Sequence, residues 1–370
     1  MRKLFLVAGL VCSTLAFPAH ADQAAITTDR PFADKPFQAQ EVARFDKPWG
    51  MAFLPDGRLL VTEKAGRLLL LSGDGRRQSE ISGVPSVNSD GQGALGAIAI
   101  DPGFARNGLI YFTYSSAGTP NGIELLRARL EGDRLRDPMV LFKASPLMTG
   151  GHYAGRIAFD AQGHLFLSLG ERQKFTPAQD PKATLGKVLR LNRDGKPAAG
   201  NPLAAQGFDA AIWSYGHRNP LGLDFDAEGR LWEVEMGPKG GDEINLVLPG
   251  RNYGWPLVSN GDHYDGRPIP DHPTRPDLEA PRVSWNPSIS PSDMTIYKGK
   301  LFPKWRGKAI ISALSGKMIV VVDLGTDLSA EVARYAMGER IRAVAEAPDG
   351  ALYVLEDGKD AKLLRLVPRG

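Results

Sequence analysis

WGMAFLPDGRLLVTEK, residues 49–64, is the stretch on which the architecture turns. Apolar residues alternate into the polar turn PDG and alternate again out of it. This is the period of a strand–turn–strand unit whose turn needs a glycine at positive φ. Four more copies follow: LGAIAIDPGFARNGLIYFTYS (95–115), AGRIAFDAQGHLFLSLGE (154–171), LGLDFDAEGRLWEVEM (221–236) and IRAVAEAPDGALYVLED (341–357). A degenerate sixth, SDMTIYKGKLFPKWRGKAIISAL, occupies 292–314. The copies are spaced by roughly 45 to 75 residues, and no intervening stretch keeps a helical period over three turns. Such repetition predicts an all-β chain, a six-bladed β-propeller with four-stranded antiparallel blades, each copy supplying two strands of one blade. A pair of β-sandwiches is the other arrangement compatible with the pattern.

In a ring of this kind one terminus pairs with the other, and FQAQEVARF (37–45) is the segment expected to join the last blade. The run from Arg267 to Pro291 holds seven prolines without alternation and reads as a long ordered loop inside blade five. Residues 22–36 read as a poorly ordered or surface-draped tail. The single domain is therefore expected over 37–370.

Residues 1–21 have the form of a cleaved leader: Arg2 and Lys3, then the apolar run LFLVAGLV, then Ala19-His20-Ala21 as a small-x-small site. The apolar run is too short to span a bilayer, and no other integral membrane segment is evident. Val11 before Cys12 lacks the small side chain that a lipidation site requires. Without the leader the chain keeps 43 basic and 42 acidic residues and no cysteine. Near-neutral charge gives no reason to expect nucleic acid. A cysteine-free exported chain relies on packing or bound metal and suits a periplasm.

The glycine run Gly91-Gln92-Gly93-Ala94-Leu95-Gly96 matches the dinucleotide fingerprint, yet a strand-like AIAID follows it where a helix is required. Nicotinamide binding there is rejected, while Gln92 remains able to face a central pocket. No GxSxG, HExxH or P-loop occurs, which argues against serine hydrolases, zinc proteases and nucleoside triphosphatases.

Positive evidence gathers in 216–256, GHRNPLGLDFDAEGRLWEVEMGPKGGDEINLVLPGRNYGWP. His217, Arg218 and Asn219 form a cationic loop entering a blade, where Arg offers a bidentate fork and Asn both donates and accepts. The same pair also suits a structural loop clamp. Arg340 and Arg342 hold the matching place in the last copy. Side chains two apart on a strand point the same way, so the pair needs an anion between them. Gly237 and Pro238 leave carbonyls of the kind that calcium accepts. Asp242 and Glu243 fit either a second calcium site or a blade-to-blade salt bridge. His152, in the glycine-rich approach TGGHYAG, is placed for proton transfer near a channel mouth, or is an ordinary loop histidine.

Taken together, WGMAFLPDGRLLVTEK, GQGALGAIAIDPGF, GGHYAGRIAFD, LSLGER, TPAQDP, IWSYGHRNPLGLDF, GPKGGDEINLVLPGRNYGWP and ERIRAVAEAPDGALYVLED resemble the soluble pyrroloquinoline quinone (PQQ) sugar dehydrogenases. The aldose sugar dehydrogenase branch is the nearest, and the resemblance covers about residues 40–368. It implies a propeller carrying PQQ and Ca2+, with His152 as general base and Arg218 and Asn219 near the quinone oxygens. It further implies Arg340 and Arg342 at the PQQ carboxylates, Gln92 in the pocket, and Gly237 and Pro238 carbonyls on calcium. Two departures stand out. The family's PQQ-binding lysine falls at Ser315, so either Lys317 reaches the cofactor from a shifted loop or one ionic contact is missing. The acidic residue that precedes the base in some members is Gly151, which would leave His152 less firmly oriented.

The reaction implied is oxidation of an aldose at C1 to its lactone, with electrons passed to an external acceptor that the sequence does not identify. The chain is expected as a monomer or homodimer. A calcium-dependent lactonase and a non-catalytic binding propeller are the alternative functions.

Overall fold

The computed structural model describes residues 26–27, 30–73, 75–326 and 329–369. The leader expected over 1–21 lies outside them. Six antiparallel sheets form the blades of a propeller. Their innermost strands are Pro48–Phe53, Leu95–Ile100, Ala154–Phe159, Pro220–Phe225, Pro291–Ile296 and Ile341–Glu346. Each packs against the next, and the last against the first, which closes the ring. Every repeat copy thus supplies the inner two strands of one blade.

Phe37–Phe45 pairs antiparallel with Ala361–Pro368, so the last blade takes its outer strand from the N-terminal side of the domain. Phe37 is buried there, edge-on to Trp305 and Tyr335 at 6.0 and 5.6 Å. Phe37→Ala is expected to cost about 3–5 kcal/mol, since it empties the seam that joins the chain's two ends. A lower midpoint in chemical unfolding checks this; an unchanged midpoint would mean that the seam does not limit stability.

Between blades the sheets meet through apolar faces, as alternation along each strand requires. One buried cluster joins blades four and five around Trp232, Trp285 and Met294. Another joins blades six and one around Phe45, Val61 and Leu355. The central channel is crossed by Arg156. Its guanidinium donates to the Leu221 and Ser292 carbonyls and lies 3.3 Å from the Asp293 carboxylate. This divides an upper cavity from a lower one of about 600 Å³.

All six inner strands share a register irregularity near their first residues, at Pro48/Gly50, Leu95/Ile98, Ala154/Ile157, Pro220/Gly222, Pro291/Asp293 and Ile341/Ala343. A bulge bends the strand and re-aims the next side chain. Here it does so at the same end of every blade, around one mouth of the channel.

The proline-rich run 267–291 is not a loop inside blade five: only its last residue, Pro291, belongs to that blade, where it opens the inner strand. Residues 267–282 belong to the excursion between the third and fourth strands of blade four, and Val283–Asn286 is that fourth strand. The run's prolines masked a four-residue strand too short to show alternation. Of the N-terminal tail, Ile26–Thr27 pairs parallel with this same strand, and Ala33 N–H donates to the Arg334 carbonyl. Among the described residues no helix is long and apolar enough to cross a membrane.

Candidate active site

The loops entering the inner strands converge at the bulged mouth and enclose a cavity of about 500 Å³. Its wall carries Gln92, His152, Arg218, Asn219, Arg340 and Arg342, which come from four segments far apart in the sequence. This volume suits a single small-molecule ligand.

His152 is 7% exposed and sits at φ 49°, in a left-handed turn between Gly150 and Gly155. Its backbone N–H donates to Gln92 Oε1 at 2.7 Å, and the Gly151 N–H donates to Gln173 Oε1 at 2.8 Å. The ring Nδ1 lies 2.5 Å from Glu171 Oε1. Glu171 is fully buried, and its other oxygen accepts the Lys174 and Phe175 backbone N–H groups. The carboxylate therefore fixes Nδ1 as the donor and leaves Nε2 as the nitrogen available to the cavity. Burial lowers the His152 pKa, Glu171 opposes this, and the Arg218 charge adds to the lowering. The net direction is downward, so the imidazole is neutral and basic at pH 7. Burial pushes the Glu171 carboxyl up, but the His152 ring and the two backbone donors hold it below its ordinary range.

Gly151 lacks a carboxylate, which by itself implies a loosely held His152. The structure corrects this. Glu171, in LSLGER on the neighbouring strand end, takes the orienting role, and a side chain at 151 would meet Gln92 Oε1 at 2.6 Å. Gly170 is equally constrained: a Cβ there would approach the His152 carbonyl oxygen to 2.1 Å. The Glu171 signal lay in a quoted motif, but nothing in the sequence said which carboxylate would face the ring.

Arg218 and Asn219 are clamped by one carboxylate. Glu235 Oε2 accepts both backbone N–H groups, at 2.6 and 2.9 Å. Arg218 Nη1 donates to the Met236 carbonyl at 2.9 Å, and its guanidinium lies 5.1 Å from the Trp255 ring. Buried Arg218 Nε and Asn219 Oδ1 have no protein partner. Unpaired buried polar atoms on a cavity wall are the mark of a ligand site. His217, grouped with them in sequence, points elsewhere. It is fully buried and stacked on Tyr253 at 4.6 Å. Burial alone would lower its pKa, but contacts to Glu233 and Glu235 raise it to about 9. It braces the clamp from beneath.

Arg340 and Arg342 do face one another, and the anion between them belongs to the protein. Asp357 accepts from Arg340 Nε at 2.9 Å and from Arg342 Nη2 at 2.9 Å. Asp357 follows the strand that pairs with Ile341, so hairpin register was the available signal. Arg342 also stacks over Trp49 at 4.4 Å. Lys47 and Lys64 line the same wall. Four cations thus meet one paired carboxylate. Lys64 Nζ donates to the Gly91 carbonyl at 2.6 Å, and burial, then Lys47, then Arg342 depress its pKa. An unbalanced cationic wall of this kind is stabilised by a polyanionic ligand.

Lys317 is not brought to the cavity. Its side chain is 52% exposed, 3.9 Å from Glu339, and Leu314 and Ser290 line the wall nearby. The Ser315 hydroxyl meets Ser290 at 2.6 Å. A lysine does line the cavity, Lys64, on the first blade.

Gly237 borders a small cleft shared with Arg218, Glu235, Met236 and Trp255. Among the described residues no donor is placed on the carbonyl of Gly237 or Pro238, so both remain open to a cation. The second-calcium reading of Asp242 and Glu243 does not fit. Asp242 is fully buried, and its oxygens accept from Gly237 N, Ser288 Oγ, Ile289 N and Ser290 N. It ties blade four to blade five by hydrogen bonds, and burial raises its pKa to about 6. Glu243 is buried against Asn245 and His272.

The family model for glucose/sorbosone dehydrogenase matches residues 45–365. The aldose sugar dehydrogenase YliI of Escherichia coli K12 is 38% identical over 338 residues, covering 88% of this chain and 91% of that protein. A crystal structure of the apo form of the soluble E. coli aldose sugar dehydrogenase superposes with a TM-score of 0.85 at 36% identity, covering 90% and 100% of the two chains. The PQQ-bound aldose sugar dehydrogenase of Streptomyces coelicolor gives 0.74 at 28% identity, covering 90% and 98%.

Proposed function

Because the chain belongs to the glucose/sorbosone dehydrogenase family, we propose that it is a PQQ- and calcium-dependent aldose sugar dehydrogenase, exported to the periplasm through its leader. It oxidises the anomeric carbon of an aldose to a lactone. The observation that carries this reading is the His152–Glu171 pair facing, across one cavity, a wall with more cations than carboxylates.

The residues present fit the cofactor. Arg340, Arg342, Lys47 and Lys64 would hold its carboxylates, Arg218 and Asn219 its quinone oxygens, and the Gly237 and Pro238 carbonyls the calcium. When bound, PQQ with calcium would supply a two-electron acceptor beside C1. His152 Nε2 receives the proton of the C1 hydroxyl. Glu171 stabilises the imidazolium that forms and prevents the ring from turning. Arg218, with its unpaired Nε, offers a fixed donor where negative charge develops. Trp49 and Trp255 flank the cationic groups and limit water around them.

Reconstitution tests the reading. Purified protein freed of cofactor is mixed with PQQ, calcium or both, and dye reduction is followed with glucose. Colour requiring both additions supports it. Acid release from a lactone without dye reduction would replace it with the hydrolase reading, and neither signal would leave a binding propeller. Lys64→Ala is expected to weaken PQQ about tenfold, as loss of one charge contact. Lys317→Ala should leave affinity unchanged. Quenching of tryptophan fluorescence on titration with PQQ measures both; the reverse pattern would return the contact to Lys317.

A further inference from the structure

Beneath the Arg218–Asn219 clamp, blade four buries two carboxylates against one imidazole. Glu233 and Glu235 sit two apart on the strand Leu231–Glu235, so both project to the same side, where His217 faces them. All three residues are buried. We propose that they bind a divalent transition-metal ion, zinc by preference, as a structural site separate from the calcium position at Gly237 and Pro238. This inference does not depend on the dehydrogenase reading.

Spacing is the first reason. His217 Nδ1 lies 3.5 Å from Glu233 Oε1 and 3.6 Å from Glu235 Oε1. Both separations exceed those of an N–H···O hydrogen bond. They come close to the edge of a tetrahedron, about 3.3–3.4 Å, around an ion with bonds of about 2.0–2.1 Å. One donor atom from each residue falls within 4.8 Å of the other two. Unpaired atoms are the second reason. His217 Nδ1 and Glu233 Oε2 are buried and have no hydrogen-bond partner among the described residues. Such atoms on facing side chains point to a ligand between them.

The contacts behind these groups are the third reason. His217 Nε2 meets Ser214 Oγ at 2.8 Å, so that nitrogen can carry the ring proton and leave the Nδ1 lone pair for the ion. Glu235 Oε2 accepts the Arg218 and Asn219 N–H groups, which leaves Oε1 toward His217. Glu233 Oε1 accepts from the Asn245 amide at 2.8 Å. Each ligand is thus oriented by a partner of its own, as metal ligands are. One imidazole with two carboxylates suits zinc, whereas calcium takes about six to eight oxygens.

Glu235 and Tyr253 also line the small cleft beside Gly237, and Tyr253 stacks on the His217 ring, so an ion has its approach from that side. Once seated, the ion locks Glu235, and with it the two backbone N–H groups that set Arg218 and Asn219 on the cavity wall. The two carboxylates balance its charge. Without an ion they hold a proton on His217 instead, the state in which its pKa is raised. Metal and proton compete for one place.

The test is metal content. The full chain is freed of metal, held in excess calcium and dialysed against Zn2+, and bound zinc and calcium are counted by plasma mass spectrometry. The wild type should take up a single tightly held zinc without losing calcium. Glu233→Gln keeps the shape of the side chain and removes one charged ligand. It should weaken zinc by about 100-fold or more, beyond the loss that an outer partner causes, with calcium unchanged. Co2+ gives a second readout that needs no variant: the wild type should acquire the visible d–d absorption of a four-coordinate ion, which added Zn2+ abolishes. No zinc uptake by the wild type, or no such absorption, overturns the site and leaves a proton in its place. Zinc held equally well by Glu233→Gln, on other histidines such as His164 or His263, overturns it too.

Discussion

His152→Ala lowers kcat by about 10²–10⁴ while PQQ affinity changes by no more than a few-fold. The loss is expected because one group accepts the C1 hydroxyl proton, and its replacement leaves nothing basic at that place. The pH profile carries a sharper signature. Burial and the Arg218 charge hold the His152 pKa below its ordinary value. The neutral base is therefore already formed at pH values where a free imidazole is half protonated. Activity should rise with pH along an acidic limb lying below the usual imidazole range, then level off. Glu171→Gln separates the roles. The carboxylate raises the ring's pKa, so its removal moves that limb to still lower pH. It also withdraws stabilisation from the imidazolium formed during proton transfer, and kcat falls by roughly 10². An unshifted profile, or full activity in either variant, would move the base elsewhere.

The second large effect is expected at Arg342. Its side chain is 12% exposed, stacked on Trp49 and paired to Asp357. Removing a desolvated charge that meets an anionic ligand costs about 2–5 kcal/mol, which corresponds to roughly 30-fold to several thousand-fold in affinity. Arg342→Ala should weaken PQQ by that order, shown by fluorescence titration, with kcat at saturating cofactor much less affected. Asp357→Asn is the companion. It leaves both arginines in place but unpaired, so the apo protein should lose thermal stability while cofactor binding recovers part of it. Arg342→Ala with undiminished affinity would show that the cationic wall serves another ligand.

Much of this site is legible in the sequence. The hairpins with their PDG, AQG and AEG turns placed six inner strands, and the residues just upstream of them, Gln92, His152, Arg218 and Arg340, line the cavity. What escaped were the partners. Glu171, Glu235 and Asp357 lie at the far ends of second strands, and each carboxylate faces a residue at the start of an inner strand. Alternation says that such residues are neighbours in a blade, yet not which oxygen meets which nitrogen. The bulge at every inner strand is also invisible to period-2 reading, because it breaks the period over a single residue. Lys317 illustrates the limit. Proximity in sequence to Ser315 suggested a substitute, whereas Lys64 lies more than two hundred residues away and arrives through closure of the ring.

Sequence by itself determined the number of blades, the seam between the two ends and the identity of the chemical groups at the mouth. Those features depend on local periodicity and on residue type, which a chain carries wherever it folds. Tertiary structure decided which lysine joins the cationic wall, which carboxylate holds the imidazole, and that Asp242 is a brace between blades. These are matters of distance and desolvation between different blades. They exist only once the ring has closed and water has been displaced from the groups that meet there.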